Sequence, residues 1–281
     1  MSRFLTQRLG FAFLAIVTIL VVLPIVLVVG LIVAKGASAI SWEFLTAMPR
    51  DGMLAGGIWP AIVGTFWLTI GTAIFSVPLG VAIAIYLSEY ARDNSFTRLI
   101  RLAIINLSGI PSVVYGLFGL GLFVLALQFG SSILAGSLTL SIMTLPVIIS
   151  TSEEALRSVP QSFRTVSVSL GGTRWQTIRK VVVPQALPGI LTGVILGLER
   201  AAGETAPILF TAAAFFLPQL PGTIFDKTMA LPYHLFVIST QVPGMPVQIQ
   251  FGTALVLLVF VLTMNLIAAV IRSYYRRRRQ W

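Results

Sequence analysis

Six stretches of the chain are apolar for long enough to cross a bilayer, and they limit the fold before any motif is considered. They fall at about 9–33, 59–87, 99–127, 133–150, 187–216 and 247–271. A hydrocarbon core about 30 Å thick is crossed by roughly 20 helical residues. Inside it every backbone N–H and C=O has to be paired within the segment, so the runs are expected to be helices. Composition agrees: 57% of the 281 residues are hydrophobic, 10% are charged and the mean hydropathy is +0.95. The expected fold class is an all-α integral membrane protein with six transmembrane helices.

Each of the first five runs contains or borders a proline, at Pro24, Pro78, Pro111, Pro146 and Pro207, so kinked or interrupted helices are expected. Arg3, Arg8 and the later Ala37-Ser38-Ala39 imitate a cleavable signal, but the apolar core is longer than the ~7–15 residues of such a region and reads as a retained anchor. With both termini inside, Arg92, Arg98, Arg101, Arg157, Arg164, Arg174, Arg179, Lys180, Arg272 and the 276–279 arginine run are cytoplasmic. Only Lys35, Arg50 and Lys227 are left outside. The net charge of +10 then has a topological cause. The arginine tail reads as an anchor on anionic membrane lipid, and no nucleic-acid partner is expected. There is no cysteine and one histidine, His234, so neither a thiolate nor a zinc site is expected. The expected division is 1–58, an anchor with an external segment, and 59–281, a five-helix core containing a cytoplasmic loop at 151–187.

That loop is the most polar part of the chain. Thr151 and Glu154 have capping-box spacing and predict a helix start. Gly171-Gly172 predicts a turn, and Thr173 can cap a second helix in which Trp175, Ile178 and Val182 share a face. Pro184 and Pro188 mark the return to the membrane. On pattern alone these short helices either dock a partner or lie on the membrane surface.

In the fifth run, Gly189, Gly193, Gly197 and Ala201 form a small-residue stripe that lets another helix approach closely. If the helix continues, Arg200 and Glu204 border that stripe, while Glu199 faces the other way toward a second cavity or partner. A charge in the bilayer costs at least ~2.5–3.5 kcal/mol and needs a partner or a task. Two readings fit: Arg200 and Glu204 pair and lock the bundle, or they form a gate on a substrate pathway, loosened because Pro207 cannot bond the Gly203 carbonyl. Thr205, Ser108 and Ser112 are either extra hydroxyl donors or back-bonded helix residues.

Gly171, nine residues, Val181, one residue and Val183-Pro184 resemble the glycine to I-x-L-P part of the EAA loop of bacterial ABC-importer permeases. The family's Glu-Ala-Ala falls on Thr165-Val166-Ser167, where this sequence departs from it, and Glu153-Glu154-Ala155 is out of register. "SEEALRSVPQSFR", "LGGTRWQTIRKVVVPQALPG" and "ERAAGETAP" are similar to membrane subunits of the phosphate-specific importer, with the last closest to PstA-type subunits. The resemblance implies the type I permease fold in a bacterial inner membrane. It implies a PstC-type second permease, a PstB-type ATPase homodimer that carries ATP and Mg, and an external PstS-type phosphate-binding protein. It implies ATPase coupling through Arg164, Thr165, Ser167, Leu170, Gly171 and Gly172, and a role for Arg200 and Glu204; Gly203, Thr205 and Pro207 join them as gate candidates on the reading of the residues above.

No G-x-x-x-x-G-K-[ST] is present, and none of Lys35, Lys180 and Lys227 closes such a loop, so the chain is expected to be a non-catalytic permease without a cofactor of its own. The competing readings are a permease for sulfate, molybdate or phosphonate, an ion-coupled secondary transporter, and a non-transporting scaffold or sensor. No inverted repeat is visible to support the secondary transporter.

Overall fold

The structure, a computed structural model, describes residues 2–277; the side chains of Arg3 and of the 276–279 arginines lie outside what is described. Twelve α-helices are described. They are α1 (Ser2–Gly36), α2 (Trp42–Thr46), α3 (Trp59–Ile85), α4 (Ser95–Ser108), α5 (Ser112–Gly119), α6 (Ile133–Arg157), α7 (Gln161–Ser169), α8 (Arg174–Thr177), α9 (Val183–Gly203), α10 (Ala206–Thr211), α11 (Leu231–Thr240) and α12 (Val247–Arg277). Short π-helical segments extend three of them: Tyr86–Tyr90 after α3, Leu120–Ala126 after α5, and Ile178–Val182 joining α8 to α9. Among the described residues five helices are long and apolar enough to cross a membrane, and a bent pair makes a sixth crossing if counted as one.

That pair corrects the third expected span. Instead of one helix over 99–127, α4 and the α5 segment meet at 103°. Pro111 has no N–H to continue a helix and disfavours helical backbone at Ile110, so α4 ends at Gly109. The Tyr115 hydroxyl donates to the Leu107 carbonyl at 2.7 Å and pairs one of the acceptors that the break leaves open.

Helices α3, α6 and α9 form the centre of the bundle, and α12 packs on α9 with α1 outside it. The small-residue stripe on α9 lies against α6 of the same chain. A Cβ added at Gly189 would sit 2.5 Å from the Ala155 Cβ, one at Gly193 2.8 Å from the Thr151 Cβ, and one at Gly197 2.9 Å from the Ile148 Cγ1. Thr151 is therefore in the interior of α6, which runs without a break to Arg157, and the expected helix start there does not occur. Continuous packing along α9 holds that turn helical, and a capping box forms instead at Thr173, with Gln176 as its reciprocal partner.

The outer end of α6 has all four leading N–H groups paired. Ile133 and Leu134 donate to the carbonyls of Asp226 and Ile224, and Ala135 and Gly136 donate to the hydroxyl and the carbonyl of Ser132. The external loop before α11 is thus part of the helix boundary. In α11, outside the membrane-spanning helices, His234 is 3% exposed, its Nδ1 has no hydrogen-bond partner, and burial lowers its pKa to about 4. A folded-state value below the ordinary 6.5 means that the unfolded chain binds the extra proton first, so stability is present above that value and is lost as pH falls toward 4. At about pH 5 the loss is expected to be ~2 kcal/mol. Melting in detergent across this range should show it in the parent protein, and the acid-dependent part should be missing from His234→Asn.

Candidate gate and coupling surface

The fifth expected span, 187–216, ends early. Helix α9 stops at Gly203, Glu204 adopts extended backbone (φ −77°, ψ 136°), and α10 restarts with Pro207 in its first turn. Pro207 cannot donate to the Gly203 carbonyl, and the chain breaks at Glu204 and Thr205 rather than merely kinking. A helical projection therefore does not apply to Glu204. Its carboxylate nevertheless turns back to Arg200, whose Nε donates to Oε1 at 3.3 Å.

The geometry of that contact decides what each partner can do. Glu204 engages only Nε, and the terminal guanidinium nitrogens have no partner among the described residues, with the Arg200 side chain 34% exposed. The fork is therefore free for a planar or tetrahedral oxyanion. Glu204, at 18%, faces a cavity with Ala201, Ala202, Thr65, Thr69 and Pro232. Its volume is about 10 Å³, so the bundle is closed at this level.

Thr65 and Thr69 were not singled out in the sequence. Thr65, Thr69, Thr72 and Ser76 recur at helical spacing along one face of α3, each donating to the carbonyl four residues back. The Thr65 hydroxyl also accepts from the Leu231 N–H at 2.8 Å, and Ser141 of α6 donates to the Thr72 carbonyl at 3.1 Å. A polar stripe in an apolar run was the available signal. Ser108 is back-bonded to Ile105, as one of its two readings expects, while Gly203 is exposed and Thr205 half-buried beside the break. Glu199 faces α12: with its amide nitrogen turned to the carboxylate, Asn265 donates to Oε2 at 3.2 Å and also to Oε1.

At the cytoplasmic end, α7 and α8 meet in a turn whose form follows from its glycines. Gly171 has φ +83°, its N–H donates to Val168 and the Gly172 N–H to Ser167, which is a Schellman closure of α7. The Ser167 and Thr177 hydroxyls bond across the turn at 2.8 Å. Thr165, Leu170 and Gly171 are exposed, Leu170 at 83%, and a groove of about 600 Å³ opens along Phe163, Val166, Leu170 and Val181. One expectation is corrected. Trp175, in the single turn of α8, is exposed, while Ile178 and Val182 at the two ends of the π segment are buried. Arg164 turns into the bundle and pairs with Glu89. Glu153, out of register with the EAA position, bridges Arg101 at 3.0 Å and Arg157 at 2.9 Å.

The model of the binding-protein-dependent transport system inner membrane component family matches residues 76–281. The chain belongs to this family. Among its relatives, a probable ABC transporter permease protein, YqgI of Bacillus subtilis, is 34% identical and the match covers 95% of each chain. Phosphate transport system permease protein PstA 1 of Mycobacterium tuberculosis is 33% identical over 93% of this chain and 86% of its own. Solved structures share the fold: the inward-facing MetNI methionine transporter (TM-score 0.62, 17% identity, 78% of this chain and 97% of that one) and a bacterial alginate importer (0.61, 17%, 94% and 96%). This permease is a multi-pass membrane protein with the type I importer fold, and as an ABC importer permease it works with an ATPase and a substrate-binding protein.

Proposed function

We propose that this permease is the PstA-type subunit of an inner-membrane importer that carries inorganic phosphate to the cytoplasm by alternating access. Its partners in this reading are a PstC-type permease, a PstB-type ATPase homodimer holding ATP and Mg, and an external PstS-type phosphate-binding protein. The observation that carries the reading is the unspent guanidinium fork of Arg200, held at Nε by a Glu204 that lines a small closed cavity. Several relatives named as phosphate permeases support the choice of anion.

In the closed state Glu204 holds Arg200 through Nε. When the helices separate, Glu204 releases Arg200 and the fork contacts phosphate oxygens in transit. Thr65 and Thr69 line the same space; Gly203, Thr205 and Pro207 form the break that lets it open. Thr165, Ser167, Leu170, Gly171 and Gly172 present the turn to the ATPase, and ATP closure there rocks the bundle.

The test is reconstitution of this permease with its three partners in vesicles, with phosphate and the binding protein outside and ATP in the lumen. Uptake is expected only with ATP and the ATPase present, and excess sulfate or molybdate should not compete. ATP-independent uptake would return the chain to the secondary-transporter class, and effective competition would reassign the anion.

A further inference from the structure

The import cycle requires movement at the cytoplasmic turn to reach a cavity at the other end of the bundle, and the contacts of Glu89 specify a route. Glu89 lies in the π segment that extends α3, with its side chain 9% exposed. Arg164 of α7, at 16%, meets it through two parallel bonds, Nε to Oε2 at 3.1 Å and Nη2 to Oε1 at 2.7 Å. The same guanidinium donates to the carbonyls of Val159, at 2.7 Å, and Leu156, at 2.9 Å, where α6 ends. From α8, Arg174 donates to the Glu89 carbonyl and lies over the Tyr90 ring, 5.0 Å from its centroid. One residue at the end of α3 thus receives both halves of the turn.

Helix α7 lies at the surface of the bundle. None of its nine residues is fully buried, and Phe163 packs against the apolar cluster formed by Leu156, Val159 and Val182. Its polar grip on α3 and the end of α6 is centred on Arg164. Helix α3, by contrast, is suited to carry a displacement. Twenty residues separate Glu89 from Thr69, about 30 Å at ~1.5 Å per residue, and α3 stays helical through Pro78 up to the π segment that holds Glu89.

We propose that the Glu89–Arg164 pair is the mechanical link through which the coupling turn drives α3, and that α3 works the cavity through Thr65 and Thr69. Arg164 is then a positioning residue and not a contact for the ATPase. The inference rests on the reading of the chain as an ATP-driven permease, but not on the identity of the anion.

The experiment uses the reconstituted complex and compares phosphate moved with ATP hydrolysed in the same vesicles. Glu89→Gln and Arg164→Met each leave one member of a largely buried pair without its partner. They are expected to keep binding-protein-stimulated hydrolysis and to lose about tenfold or more in phosphate moved per ATP. The chain has no cysteine, so a Glu89→Cys, Arg164→Cys double variant in an otherwise cysteine-free complex can be bridged with a bifunctional thiol reagent. Bridging should restore most of the lost transport per ATP. The link is overturned if the ratio is unchanged in the single variants, if uptake and hydrolysis fall together with the amount of assembled complex, or if bridging restores nothing.

A readout free of substrate separates this result from the phosphate reading. A cysteine fits at Gly203, where an added Cβ meets nothing within 4 Å. Its labelling rate from outside should change with nucleotide, and Glu89→Gln should abolish that change. If no phosphate moves in any vesicle while this pattern holds, the anion assignment fails and the link stands. Equal nucleotide response in both backgrounds overturns the link.

Discussion

Arg200→Met is expected to lower ATP-driven phosphate uptake by about 100-fold in the assembled importer, whereas Glu204→Gln lowers it by less than about fivefold. The difference follows from the contact between them. Two charge-assisted bonds from a free fork to an oxyanion, at ~1.5–3 kcal/mol each, are large on the transport barrier. The Arg200–Glu204 bond is a single contact of 3.3 Å with the arginine 34% exposed, a geometry in which an ion pair is worth ~1 kcal/mol or less. Arg200→Lys keeps the charge and loses the fork, so it should fall between the two. Uptake is measured in vesicles holding equal amounts of intact complex. If Arg200→Met and Glu204→Gln lose activity equally, Arg200 serves only as the partner of Glu204. If both retain normal uptake, the pair is no gate.

The second large effect is on folding. Gly193→Val should abolish recovery of the folded permease from detergent, while Gly10→Val, on α1, should leave its yield and melting temperature unchanged. A Cβ at Gly193 collides with the Thr151 Cβ at 2.8 Å, and both atoms sit close to backbone that neighbouring turns hold in place, whereas one at Gly10 meets nothing within 4 Å. Overpacking in an interior of this kind costs ~1–3 kcal/mol or more, a large share of the total stability of a domain. Normal recovery of Gly193→Val would mean that α6 and α9 are not pressed together along this stripe.

The small-residue stripe was legible because its signal is local: four small residues at four-residue spacing in one apolar run. Its partner was not, since nothing in Gly193 names Thr151. The six apolar runs were legible for the same reason, but their ends were not. Asn106, Ser108, Gly109, Pro111 and Ser112 interrupt the third run, but such an interruption reads as a kink as readily as a turn, and the missing proline N–H with the tertiary packing turns α5 away from α4. At Thr151 the local capping signal pointed to a helix start, and packing against α9 overrode it. The charge pair Arg200–Glu204 was visible at a separation of four residues, whereas Arg164 and Glu89 are 75 residues apart and meet only through the fold. The threonine stripe of α3 was present in the sequence but submerged in hydrophobic neighbours. A reading that follows hydroxyls along an apolar run, as well as charges, would have found it.

The cap that the outer loop places on α6 has a consequence for what happens at the external face. The carbonyls of Ile224 and Asp226 are the acceptors for the first two N–H groups of a helix that must stay bonded in a medium poor in water. A protein that lands on this loop and displaces it would strip two acceptors from α6. The same helix contributes Leu140, two turns in, to the wall of the closed cavity. Loss of those two bonds would loosen a single helical turn, and a contact at the surface would then reach the wall that Leu140 shares with Glu204 without any charge moving.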